Sequence, residues 1–289
     1  MARSIVTGGT GGIGFEVAKG LARAGHDVLL TGRSRSKGED ALRQLEAAVP
    51  GAKAQFALLD MADLASIQTF AEQQREPIEM LVNNAGIMGL PERTLTKDGF
   101  EAQIGTNYLG HFALTGRLLP RLNEAGRARV VSVASLAHRR AKLHLDDLQG
   151  ERTYDPMGTY GQTKLAMLIF ARELQRRAAA RGWPLVSIAA HPGWSATRIV
   201  LNGMGRGLKG SLIQAVFNTV AQSAEGGARP ILFAALDPAA EPGGYYGPAN
   251  FQETRGAPAP SKVFPQAQDQ ASNERLWTLS EQLTGVRYG

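Results

Sequence analysis

The chain has 289 residues, of which 43% are hydrophobic and 20% charged, a globular balance that excludes a disordered or fibrous protein. It contains no cysteine, so disulfides, thiolate metal sites and cysteine nucleophiles are excluded, and any redox chemistry needs a borrowed cofactor. The net charge of +6 comes from 32 basic and 26 acidic residues scattered along the chain, which argues against a nucleic-acid surface.

Taken in chain order, short apolar runs alternate with helix-length amphipathic stretches, the signature of βαβ units. Strands are expected at Arg3 to Thr7, Asp27 to Thr31, Ala52 to Leu58, Ile78 to Asn83, Arg129 to Ala134, Leu185 to Ala190 and Gly244 to Tyr246. Helices are expected near 13 to 24, 37 to 48, 63 to 75, 98 to 124, 158 to 181, 223 to 236 and 268 to 283. The expected fold is α/β: a single Rossmann-type domain over 1–289, with a doubly wound parallel sheet of about seven strands and helices on both faces. Gly193 to Gly210 is glycine-rich with little periodicity and reads as a mobile loop, so a substrate loop is placed near 193–222. Residues 254 to 266 carry three prolines and read as a surface excursion. The first strand starts within a few residues of Met1, so no secretory signal is read. No run of about 20 apolar residues occurs, and a cytoplasmic protein without a transmembrane segment is expected.

Thr7-Gly8-Gly9-Thr10-Gly11-Gly12-Ile13-Gly14 joins the first strand to the first helix. Gly8, Gly12 and Gly14 stand where backbone must approach a pyrophosphate and a helix N-terminus offers free N–H donors. The second strand runs Leu29-Leu30-Thr31-Gly32-Arg33-Ser34-Arg35, with a cation where an acidic residue would bind a ribose 2′-hydroxyl. Arg33, helped by Arg35 and Lys37, suits a 2′-phosphate, hence NADP(H) in preference to NAD(H). Tyr160 and Lys164, four residues apart on an expected helix, share one face, where an ammonium stabilises a phenolate. His138, His144 and His191 have no ligand-like spacing, so no metal is expected.

On these motifs the chain resembles the short-chain dehydrogenase/reductase family and, within it, the retinol-dehydrogenase-like group. The likeness includes Asn83-Asn84-Ala85-Gly86 after the fourth strand, Leu145-Asp146-Asp147-Leu148-Gln149-Gly150, Gly243-Gly244-Tyr245-Tyr246-Gly247 and Leu276-Trp277. It implies a catalytic tetrad of Asn107, Ser135, Tyr160 and Lys164. In this tetrad Tyr160 is the acid or base, Ser135 holds the substrate oxygen, and Asn107 anchors a water linking Lys164 to solvent. It implies cofactor contacts at Gly8, Gly12, Ile13, Gly14, Asp60 (adenine), Asn83, Ala85, Gly86, Tyr160 and Lys164. Pro192, Gly193 and Thr197 would touch the nicotinamide. The alternative reading of Asn107 is that it caps or packs its helix. Ser132 lies in the same strand as Ser135, but only Ser135 sits at its end.

The expected activity is hydride transfer between a nicotinamide and a small-molecule alcohol or carbonyl. The vertebrate members of the group carry an N-terminal membrane anchor that this sequence lacks, so a lipophilic substrate is expected rather than retinoid itself. Trp194, Ile199, Val200, Leu201, Met204, Leu208, Leu212 and Ile213 would line an apolar pocket or simply pack. Two other readings remain: a catalytically silent NADPH sensor, and a sugar-nucleotide epimerase or dehydratase, which would need a larger C-terminal region. The helices near 98 to 124 and 158 to 181 resemble those that pair subunits in the family. A homo-oligomer is expected through them unless the span between Ser135 and Tyr160 blocks that surface.

Overall fold

In the computed structural model, which describes residues 2–194 and 222–289, β1 (Arg3–Val6) lies inside the sheet, and every residue after Arg3 in it is buried. It pairs in parallel with β2 (Asp27–Gly32) on one side and β4 (Met80–Asn83) on the other. The sheet continues through β3 (Ala54–Leu58), β5 (Ala128–Val133), β6 (Leu185–Ala190), β7 (Tyr245–Asn250) and β8 (Arg255–Pro260), in the order β3-β2-β1-β4-β5-β6-β7-β8. All pairs are parallel except the last.

Among the described residues the longer helices are α1 (Gly12–Arg23), α2 (Arg35–Ala48), α3 (Leu64–Gln73), α4 (Gly110–Glu124), α5 (Pro156–Arg181), α6 (Ala224–Leu236) and α7 (Gln270–Thr284). Strand alternation divides the core between the two faces of the sheet. Ile5, Leu29, Leu81, Val130 and Ala189 face Phe70, Phe112, Leu165 and Phe170, from α3, α4 and α5. Val6, Leu30, Val82, Val131 and Ile188 face Val17, Leu21, Leu45, Ile231 and Ala234, from α1, α2 and α6. No described helix is long and apolar enough to cross a membrane.

Three departures from the sequence expectations matter for the site. The helix expected at 98 to 124 is composite. After a short turn at Ala102–Ile104, capped by the buried Glu101 carboxylate, Gly105–Leu109 is π-helical, and α4 follows. Such a bulge carries one extra residue per turn and leaves a carbonyl out of the i to i+4 ladder. Gly110 allows the helix to press on the backbone of Met61, where any Cβ would collide with the Met61 carbonyl.

The second departure is β8, which occupies part of the supposed surface excursion. Tyr246 pairs with Pro260, Gly247 with Ala259 and Pro248 with Pro258. Proline is compatible with a strand that has solvent on its outer edge, because the missing N–H is needed by no neighbour there. The connection from β7 to β8 places Phe251, Gln252 and Glu253 consecutively at φ 49, 57 and 66. Three non-glycine residues in the left-handed region are strained by roughly 1–3 kcal/mol each, so contacts elsewhere must hold this turn.

Third, α5 is buried almost all round, because α7 and the C-terminal tail cover its outer side. Trp277 stacks on Phe170 at 5.9 Å between centroids, and the Tyr288 hydroxyl donates to the Phe112 carbonyl at 2.7 Å. The parts of α4 and α5 around Phe112 and Phe170 are therefore occupied by this chain's own C-terminal segment.

Candidate active site

The glycine turn begins one residue after β1. Gly8 and Gly12 adopt φ 64 and 55, a conformation disfavoured for other residues. Gly14 cannot carry a side chain: a Cβ there would overlap the Gly8 carbonyl oxygen and lie 2.5 Å from Asn84 Nδ2. This contact closes the turn, and Asn84 fastens it by donating from Nδ2 to the Thr7 carbonyl at 2.8 Å. Helix α1 starts at Gly12 without a side-chain cap, so its first N–H groups have no partner within the helix. An uncapped N-terminus behind a cradle that a Cβ would fill suits a pyrophosphate.

The Thr7 hydroxyl ties this turn to the next element. It accepts from the backbone N–H groups of Asn84 (2.8 Å) and Ala85 (3.0 Å) and lies 3.0 Å from His111 Nε2. His111 Nδ1 faces the carbonyl of Asn107 at 2.9 Å, and a carbonyl only accepts. The ring proton is therefore on Nδ1, and Nε2 accepts from Thr7. Complete burial holds this imidazole neutral, its pKa pushed down to about 3.

Asn107 sits in the π-helical stretch, fully buried. Its Oδ1 accepts from the Ile87 N–H at 2.8 Å, and its Nδ2 donates to the Ile87 carbonyl at 2.8 Å and to Thr163 Oγ1 at 3.1 Å. Asn107 is thus the joint between the segment after β4 and α5. Gly86 has no side chain because one would lie 3.1 Å from Asn107 Oδ1 and 3.7 Å from Lys164 Nζ.

Tyr160 and Lys164 lie one turn apart on α5, whose start is fixed by the Asp155 cap and Pro156 in the first turn. Lys164 Nζ donates to the Val133 carbonyl at the end of β5 (3.0 Å) and lies 5.8 Å from the centre of the Tyr160 ring. Burial lowers the Lys164 pKa to about 8. Burial likewise raises the Tyr160 phenol above its ordinary 10, and a hydrogen bond with Ser135 partly offsets the rise. Ser135 caps the short 3₁₀ segment Leu136–Arg140, and its carbonyl accepts from His138 Nδ1 at 2.6 Å. His138, displaced by burial to a pKa of about 4, braces the serine from behind.

One cleft of about 1740 Å³ is lined by Gly8, Gly12, Ile13, Gly14, Arg33, Asp60, Ala85, Gly86, Ser135, Tyr160, Lys164, Pro192 and Gly193. Ligand pockets commonly run to about 300–1,000 Å³, so a dinucleotide and a second molecule both have room. Asn83 and Asn107 do not line it. Asn83 is buried and donates to Thr115 Oγ1, while its neighbour Asn84 turns to the glycine loop. Thr197 and most of the expected substrate loop lie outside the described residues. Lys37 lines the cleft beside Arg33 and Ser34, whereas Arg35 does not. Sequence reasoning missed the parts played by Thr7 and His111. The pairing of a threonine at the strand end with a histidine four residues after Asn107 was their only signal.

Residues 3–202 match the short chain dehydrogenase family. The chain is 36% identical to the human (Homo sapiens) protein named polyprenol dehydrogenase, covering 98% of this chain and 85% of that one. It is 35% identical to retinol dehydrogenase 12 of Mus musculus, covering 98% and 86%. Among solved structures, an uncharacterized protein from Mycobacterium Paratuberculosis superposes with a TM-score of 0.82 at 38% identity, covering 100% of this chain and 95% of that one. With its parallel sheet, its glycine turn and these relatives, the chain belongs to the short-chain dehydrogenases, oxidoreductases that work with a nicotinamide cofactor, and within them to the retinol-dehydrogenase-like group.

Proposed function

We propose that the protein is an NADP(H)-dependent oxidoreductase that interconverts a lipophilic alcohol and its carbonyl, with Tyr160 as the acid or base. The observation that carries this reading is the meeting of Ser135, Tyr160 and Lys164 with the glycine cradle in one cleft. The cofactor supplies the hydride. In the reducing direction the Tyr160 phenol donates its proton to the carbonyl oxygen, and the Ser135 hydroxyl hydrogen-bonds that oxygen as negative charge builds on it. The Lys164 ammonium, held at the Val133 carbonyl, favours the phenolate that remains. Asn107 holds the Ile87 segment against α5, which keeps Lys164 in place.

A pH profile tests this division of labour. Reduction needs Tyr160 protonated and Lys164 charged, and both conditions fail on the alkaline side. We expect kcat/KM for carbonyl reduction to be level through neutral pH and to fall as pH rises past about 8, where Lys164 loses its proton. A reduction rate that climbs between pH 8 and 10 would contradict the assignment.

The cofactor preference rests on Arg33, exposed at the end of β2, with Ser34 and Lys37 on the same wall. Arg33→Ala should weaken NADPH binding roughly 10- to 100-fold, the worth of a charge-assisted phosphate contact of about 1.5–3 kcal/mol, and leave NADH binding unchanged. Fluorescence titration with both cofactors measures it; equal losses for the two would remove Arg33 from the 2′-phosphate. Lipophilic substrates are supported by the apolar cleft residues Met88, Leu136, Met157 and Trp194, and by relatives named for a polyprenol and for retinol. Screening purified protein with NADPH against aliphatic, aromatic and isoprenoid aldehydes and ketones tests the whole reading.

A further inference from the structure

A polar cluster that the proposed chemistry does not use lies behind the Pro192–Gly193 wall of the cleft. His191, fully buried at the end of β6, passes its ring across Gly247 of β7, where any Cβ would overlap the imidazole. His191 Nδ1 accepts from the Gly193 N–H at 3.1 Å, so the ring proton is on Nε2. Nε2 in turn faces Glu253 Oε2 at 3.0 Å and donates to it. The same carboxylate oxygen takes Arg139 at 2.8 Å, and Arg139 also donates to the Gln252 carbonyl at 3.1 Å.

Arg139 belongs to the 3₁₀ segment that Ser135 caps. One carboxylate, at the end of the left-handed Phe251–Glu253 turn, therefore grips both walls of the cleft. The next residue completes the grip: the Trp194 N–H donates to the Thr254 carbonyl at 2.9 Å, and Gly193 at φ 66 leaves no room for a Cβ against that same oxygen. Gln252 and Thr254 themselves line the cleft. A strained turn maintained by charge-assisted bonds beside a reaction centre is the pattern expected of a positioning device.

We infer that Glu253 is a positioning residue of the cleft: by bridging Arg139 and His191 it fixes the spacing between the Ser135 wall and the Pro192–Gly193 wall, and so the alignment of substrate oxygen with nicotinamide. Its consequence for turnover rests on the oxidoreductase reading above, while the tie itself does not. Glu253 reaches neither substrate nor cofactor by this route; it acts through Arg139 and His191.

The test compares Glu253→Ala and Glu253→Gln with the wild-type chain by steady-state kinetics, NADPH titration, thermal melting and amide hydrogen exchange. In Glu253→Ala we expect kcat to fall about 10- to 100-fold, the scale on which small misplacements act. NADPH affinity should stay within about threefold, because the glycine turn and Arg33 lie elsewhere. Protection should be lost locally at the amides of Gly193 and Trp194. Glu253→Gln, which still accepts from His191 but no longer pairs with the Arg139 charge, should fall between the two. Wild-type kcat and protection in the alanine variant would overturn the inference, as would losses spread evenly over all amides with a matching drop in melting temperature in both variants. If the wild-type chain reduces no carbonyl, the oxidoreductase reading falls, and protection at Gly193 and Trp194 still decides the tie.

Discussion

Replacing Tyr160 by Phe should lower turnover by about 10²–10⁴, the usual worth of a positioned general acid, while NADPH binds as before. The reason is the isolation of the lost atom. Phenylalanine keeps the ring that packs near Lys164 Nζ, so α5 and the ammonium's bond to Val133 stay in place. Only the hydroxyl that Ser135 touches is removed. The proton must then come from Ser135, a far weaker acid, or from the Lys164 ammonium, whose Nζ is held at the Val133 carbonyl. Steady-state kinetics with parallel fluorescence titration give the answer. A variant that retains turnover within about tenfold would sink the assignment of Tyr160, and unchanged cellular function in a variant without turnover would favour a cofactor sensor.

Gly14→Ala should have an effect of comparable size through a different route. The added methyl meets the Gly8 carbonyl and the Asn84 side chain, neither of which is the free end of a flexible group. Overpacking of this kind costs about 1–3 kcal/mol even where neighbours yield. Here the neighbours that yield are the pyrophosphate cradle and the asparagine that fastens it to Thr7. We expect a lower melting temperature and a loss of cofactor affinity of roughly 100-fold or more, about 3 kcal/mol. A Gly14→Ala protein that melts and binds like the wild-type chain would show that the cradle is not built on this contact.

Much of this was written locally in the chain. The seven parallel strands announced themselves as apolar runs, and the glycine turn and the Tyr160/Lys164 pair are both short-range patterns that survive without tertiary knowledge. What failed to show depends on partners far away in sequence. β8 was hidden because its prolines look like loop residues until β7 shields one edge. The π-helical stretch was hidden because Gly105 and Gly110 answer to Thr96 and Met61 rather than to helix propensity. Asn84 and Asn83 are adjacent asparagines with opposite directions, one to the glycine turn and one to Thr115, and only strand alternation in place tells them apart. Glu253 stands 62 residues from the histidine it grips, with no motif around it.

The neutral imidazoles carry a thermodynamic consequence. Four of the five histidines, His26, His111, His138 and His191, are held below their ordinary pKa of 6.5, in each case chiefly by burial. Above pH 6.5 both folded and unfolded chains carry these rings neutral, and they contribute nothing to the balance. As pH falls below 6.5, the unfolded chain takes up protons that the folded chain refuses. Each refusing ring then removes about 1.4 kcal/mol of stability per pH unit, down to about pH 4 for His138 and about pH 3 for His111. The rings that keep the glycine turn, the serine loop and the left-handed turn in register thereby link the fold to protons in mild acid, and above pH 6.5 that linkage passes from them to Lys164, which releases its proton near pH 8 in the folded chain and near 10.5 in the unfolded one.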